Sequence, residues 1–134
     1  MLTKPVLSVA ETTRILDAAR AEAERNQWAV AIVVVDDGGH PLALLRLDGC
    51  APAGAYIATE KARTSALGRR ETKVYEDMIN GGRTAFLSTP LAGTLEGGVP
   101  VVVGGQVVGA VGVSGVKSDQ DAQIAKAGVA ALNG

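Results

Sequence analysis

Apolar residues recur along this chain at two different spacings. Val9, Thr12, Ile15, Leu16, Ala19 and Ala23 follow the three-to-four spacing of a helix face, which predicts a helix over 9–26. Ser8-Val9-Ala10-Glu11 just ahead has the form of a capping box, with Ser8 as N-cap. Trp28 to Val35, WAVAIVVV, is apolar on both alternating faces. A strand of that kind is covered on both sides, by helices or by another subunit. Asp36-Asp37-Gly38-Gly39 is a turn cluster, and Pro41 to Leu47 returns as a second strand, so 28–48 reads as a hairpin.

The alanine-rich run Ala51–Leu67 predicts a helix that tolerates Pro52 in its first turn and ends at Gly68. Glu71–Asn80 predicts a shorter helix, stopped by Asn80-Gly81-Gly82. Thr84–Ser88 reads as a short strand or loop, and Thr89–Gly98 as a loop. Val99–Val103 and Gln106–Ser114 are strands joined by the two-residue turn Gly104-Gly105. Ser118 is expected to cap a last helix over Asp119–Leu132, with Asp119 and Asp121 where the helix dipole favours them. The expected order is α-β-β-α-α-β-β-β-α. It describes an α/β (α+β) fold of one domain, residues 1–134, with a largely antiparallel sheet of about five strands flanked by helices.

The stretch GGVPVVVGGQVVGAVGVSG, Gly97–Gly115, has seven glycines in nineteen residues. A phosphate-binding loop runs from a strand into a helix, but here the glycines join strand to strand, so turn chemistry explains Gly104 and Gly105. Gly109 falls on one face with Val107, Val111 and Val113; Gly112 falls on the other with Val108, Ala110 and Ser114. That second face is small, which fits a closely docked helix better than a ligand. Gly97 and Gly98 are candidates to offer bare N–H groups to an anion.

Composition narrows the function classes. At 47% hydrophobic and 20% charged the chain is globular, and with 3% aromatics its core must be built of Val, Ala, Leu and Ile. A net charge of −1 gives no footprint for nucleic acid or an anionic membrane. No apolar run approaches the ~18 residues that cross a bilayer. The N-terminal residues lack a signal-peptide core, and the lone Cys50 suits a reducing compartment, so a cytoplasmic location is expected.

Several polar residues are candidates for chemistry. Arg46 and Asp48, two apart at a strand end after Leu42 and Leu44, form a charged pair at the rim of a pocket or an ordinary strand-end ion pair. Lys61 lies on a small, half-apolar helix face with Gly54, Ile57, Ala58, Thr64, Ser65 and Gly68. It either points into a cleft to hold a carboxylate or act as a base, or snorkels at the surface. Glu96 is a loop carboxylate able to pair with Lys61 or Arg46 or to move a proton. His40, the single histidine, follows a tight turn. With Cys50 far away it makes no zinc site, so no metal is assigned. Haem takes a single axial ligand in some proteins, and His40, Cys50 and Met78 are the candidates. Arg69-Arg70 with Lys73 forms a local basic cluster of the kind that is usually solvated.

VAIVVVDDGGHPLALLRLDG at Val30–Gly49, KART at Lys61–Thr64, the glycine hairpin with its VSG, and SDQDAQIAKAG at Ser118–Gly128 occur together and in order. In these the chain resembles the GlcG/HbpS-like family, often labelled haem-degrading and related to the C-terminal domain of PduO-type corrinoid adenosyltransferases. The resemblance covers nearly the whole chain. It implies a profilin-like fold and homo-oligomers, from dimers to octamers. It also implies a small-molecule ligand: haem, a corrinoid or a small organic acid. The matching positions are Asp36, Gly39, Arg46, Asp48, Gly49, Lys61, Gly97, Gly98, Pro100, Gly104, Gly105, Ser114, Gly115, Gln120 and Asp121, many of them structural in aspect. One histidine excludes a bis-histidine haem site within a protomer. Binding at Arg46, Lys61, Gly97, Gly98 and His40 is the first functional expectation. The alternative is a cofactor-free isomerase, tautomerase or lyase acting on a small carboxylate, with Lys61, Glu96 and Asp48 as its catalytic groups. A purely structural oligomer is the third.

Overall fold

The computed structural model describes residues 1–132. Helix α1 (Val9–Arg25) leads into strands β1 (Ala31–Asp36) and β2 (Pro41–Arg46). Helices α2 (Ala53–Gly68) and α3 (Lys73–Asn80) follow, then β3 (Gly98–Val103), β4 (Gln106–Ser114) and α4 (Ser118–Ala130). The sheet has four strands in the order β2-β1-β4-β3, and every neighbouring pair is antiparallel. The expected fifth strand is absent because Thr84–Ser88 is a 3-10 helix, whose Phe86 stacks on Tyr75 at 4.9 Å between ring centroids. Its contact is with α3, and it offers no ladder to the sheet.

Three layers follow from the two faces of β1. Val30, Ile32 and Val34 pack with Ile15, Ala19 and Ala23 of α1 and with Ile124 and Ala125 of α4. Ala31, Val33 and Val35 pack with Ala58, Ala62 and Ala66 of α2. Every residue from Val30 to Val35 is fully buried within the single chain. The doubly apolar strand therefore requires no second subunit.

The α2 layer is built of small residues, and this lets backbone meet backbone. A Cβ at Gly112 would stand 2.1 Å from the Ala58 carbonyl oxygen and 2.5 Å from the Ala62 nitrogen. Gly112 is the glycine a docked helix demands. Within β4 the simple alternation of faces is broken. Val101 pairs with Gly109 but Val102 pairs with Val107, so Val108 is an extra, bulged residue. It turns to the α1/α4 side with Val111 and Val113. A similar irregularity lies in β2, where Val34 pairs with Ala43 but Val35 with Pro41. It takes Leu42 off the face of Leu44 and Arg46, into a cleft against α1.

The helix ends follow local chemistry. Ser8 Oγ accepts the Glu11 N–H at 3.3 Å, as the capping box requires. α2 stops at Arg69, in the left-handed region at φ 59°, rather than through Gly68 itself. α4 begins one residue earlier than expected: Lys117 is its N-cap, and Gln120 Oε1 accepts the Lys117 N–H at 3.3 Å. Among the described residues no helix is long and apolar enough to cross a membrane.

Candidate functional site

The end of β2 and the end of α1 meet in a cleft of about 380 Å³. α1 closes with Gln27 in the left-handed region at φ 59°, and the Trp28 N–H reaches back to the Ala23 carbonyl at 2.9 Å. That is the hydrogen bond of a helix stop usually made through glycine. The Leu47 N–H then bonds the Val30 carbonyl at 2.9 Å, holding the two chain segments side by side. Trp28, Leu45 and Leu47 supply the apolar lining; Arg46, Asp48, Gln27 and the Arg20–Glu24 pair supply the polar one. Arg20 and Glu24 satisfy each other at 2.7 Å. Arg46 and Asp48 belong to none of the ion pairs among the described residues, so they do not form a strand-end pair with each other. The cleft holds a free guanidinium and a free carboxylate beside an indole.

Lys61 lies elsewhere. It is 3% exposed, on the inner side of α2. Its Nζ donates to the Val113 carbonyl at 2.9 Å and to Asp121 Oδ2 at 3.1 Å. Asp121 Oδ1 accepts the Val116 N–H at 3.1 Å. One ion pair thus ties α2, β4 and α4 together. Burial pushes the Asp121 carboxyl up from the usual carboxylate range, against the pull of Lys61 and the Val116 amide; the negative charge of Glu96 adds to the rise. Gly97 lies over the pair: a Cβ there would meet Lys61 Nζ and the Val113 carbonyl, each at 2.8 Å. The Gly98 N–H is taken by Thr72 Oγ1 at 2.8 Å. The Glu96 N–H bonds Glu76 Oε1 at 3.1 Å. Lys61, Glu96, Gly97 and Gly98 are therefore brought together, as a packed joint.

His40 is exposed at the β1–β2 turn, at the opposite end of β2 from Arg46. Six residue steps along the strand separate them, roughly 20 Å at ~3.3 Å per residue. Three features escaped the sequence reading: Asp121 as the partner of Lys61, Gln27, and Trp28 as a cleft wall. The first had a signal, since an apolar-faced lysine needs a buried anion, and SDQD offers one.

A family model described as "Haem degrading protein HbpS-like" matches residues 7–130. The chain belongs to the HbpS-like family. It is 62% identical over 114 residues to protein GlcG of Escherichia coli strain K12, covering 85% of each chain. The crystal structure of HbpS superposes with a TM-score of 0.90 at 31% identity, covering the whole of this chain and 94% of that one. A PduOC–haem complex superposes with a TM-score of 0.87 at 26% identity, covering 96% of both chains. The antiparallel α/β architecture read from the hairpins is the architecture of these neighbours.

Haem in an HbpS-like chain needs an axial donor and partners for its propionates. Cys50 is a poor donor here, because burial raises its thiol pKa and keeps it protonated, the nearby Arg46 charge pulling only partly the other way. Met78 is half-buried on α3. His40 has an exposed imidazole, but the free guanidinium of Arg46 is a strand's length away. Within one chain the residues fit the carboxylate half of haem and leave its iron without a neighbouring ligand.

Proposed function

We propose that this HbpS-like chain is a small-molecule-binding protein whose ligand presents a carboxylate to Arg46 and an apolar body to Trp28. The observation that carries this reading is the unpaired Arg46 in a cleft of about 380 Å³, within the ~300–1,000 Å³ typical of ligand pockets. A guanidinium is the side chain best shaped to grip a carboxylate through two parallel hydrogen bonds. Asp48, which lines the same cleft, accepts a hydroxyl or N–H from the same ligand. Small organic acids meet this description fully. Haem meets it through its propionates, and the haem carried by PduOC gives haem the first place among the larger ligands; a corrinoid, whose side chains are mostly amides, meets it less well. The enzymatic alternative asks Lys61 to hold or deprotonate a substrate. Its Nζ is already committed to Val113 and Asp121, so binding is the better-supported reading. The same reading keeps the chain in the cytoplasm, on the strength of its single cysteine, and as a homo-oligomer, on the strength of half-exposed Leu44 on the edge strand β2.

Titration of the purified protein with haemin, read by absorbance, tests the haem branch. A saturable Soret shift at one haem per chain, weakened in Arg46→Ala, is expected if haem is the ligand. Loss of the shift in His40→Ala would add His40 as the iron's ligand, reached from another copy of the chain. Absence of a saturable shift removes haem and leaves the small carboxylates.

A further inference from the structure

Among the described residues, two other than glycine hold the backbone in the left-handed region, Gln27 and Arg69, both at φ 59°. Each lines a cleft: Gln27 the one beside Arg46, Arg69 a separate one. At Arg69 the conformation stops α2, its N–H bonding the Ala66 carbonyl at 3.3 Å. Glycine takes that conformation without a Cβ clash and is the usual residue there. This chain places a long cation in it instead, and that cation lines a cavity. The rest of the basic run is engaged. Lys73 pairs with Asp77 at 2.6 Å, and Arg70 lies over the Tyr75 ring at 5.7 Å. Arg69 makes no ion pair among the described residues.

The cavity it lines is about 560 Å³, between the N-terminal segment, the β1–β2 turn and the β3–β4 turn. The other charged groups on its wall, Lys4 and Asp37, pair at 2.5 Å, and the charge of Arg69 adds a smaller pull on the Asp37 carboxylate. Thr3 and Gln106 add a hydroxyl and an amide, and Leu2 and Val107 add apolar surface. The remaining charge on the wall is therefore one guanidinium. We propose that this cavity is a second binding site, for a small molecule bearing an oxyanion, carboxylate or phosphate, held by Arg69. A guanidinium matches both groups through paired N–H donors. The site is independent of the Arg46 cleft and of the function proposed for it.

Thermal unfolding with sodium acetate and with sodium phosphate, each against sodium chloride at equal ionic strength, tests the proposal. Three proteins are compared: wild type, Arg69→Gly and Arg46→Ala. Glycine at position 69 relaxes the backbone, so Arg69→Gly should melt no lower than wild type in chloride. In Arg46→Ala, where the first cleft has lost its cation, at least one oxyanion should still raise the melting temperature by roughly 2–4 °C, and the same oxyanion should raise Arg69→Gly clearly less than wild type. A response to phosphate alone identifies a phosphoryl ligand, and a response to acetate a carboxylate. Equal shifts in wild type and Arg69→Gly would overturn the proposal, since a general salt effect acts on all three. So would no shift with either anion, or a shift lost in Arg46→Ala and kept in Arg69→Gly.

Discussion

Gly112→Ala is expected to unfold this protein or to cost it more than ~3 kcal/mol. The added methyl would stand 2.1 Å from the Ala58 carbonyl oxygen and 2.5 Å from the Ala62 nitrogen, both of them backbone atoms that cannot rotate away. Relief requires α2 to lift off the sheet, which would open the contacts of Ala58, Ala62 and Ala66 with Ala31, Val33, Val35 and Ala110. Domains of this size are stable by only ~5–15 kcal/mol, so the loss is a large share of the total. Gly104→Asn is the control. Nothing lies within 4 Å of a Cβ there, and the φ of 56° is one that asparagine tolerates. Urea unfolding should place Gly104→Asn within about 1 kcal/mol of wild type. A Gly112→Ala protein with wild-type stability would mean that α2 does not dock as described.

Lys61→Met should be nearly as damaging, about 3–5 kcal/mol at neutral pH. It leaves Asp121, buried and bonded to the Val116 N–H, without its cation. Burial already raises this carboxyl, and removing Lys61 takes away the largest opposing pull. A carboxyl whose folded pKa lies above its unfolded one binds protons more readily when folded. Stability is then fully present below the unfolded pKa and is lost as pH rises through the folded one. The defect of Lys61→Met should therefore shrink on going from about pH 7 to about pH 5. Adding Asp121→Leu to Lys61→Met should restore most of the stability at neutral pH, because two apolar groups replace a buried pair. A pH-independent loss, or no recovery in the double variant, would show that the ion pair is not what joins α2, β4 and α4.

The contrast between these joints and the Arg46 cleft explains what could be read from the sequence. Hairpins were legible because turn residues and β-branched runs act locally, as at Gly104-Gly105. The role of Gly112 was legible because a strand glycine opposite small residues has few explanations. Thr84–Ser88 was not, since five mixed residues pair with a sheet or coil against a helix according to a tertiary contact, here Phe86 on Tyr75. The bulges at Leu42 and Val108 were hidden for a similar reason: alternation along one strand cannot reveal an extra residue opposite its partner. The distinction between Lys61 and Arg46 was hidden as well. Both are cations beside apolar residues, and the sheet order β2-β1-β4-β3 decides that Lys61 faces Asp121 while Arg46 stands on the open edge strand.

Trp28 is the chain's only tryptophan and lines the proposed site, so its fluorescence reports on that site directly. The measurement that bears most closely on the binding reading is a fluorescence titration of wild type and Arg46→Ala with haemin and with benzoate, an aromatic acid. A saturable change in wild type with at least one of them is expected, with affinity weakened about tenfold or more in Arg46→Ala, the loss of a charge-assisted hydrogen bond of ~1.5–3 kcal/mol. No saturable change with either ligand, or equal affinity in the two proteins, would contradict the assignment of the Arg46 cleft as the ligand site.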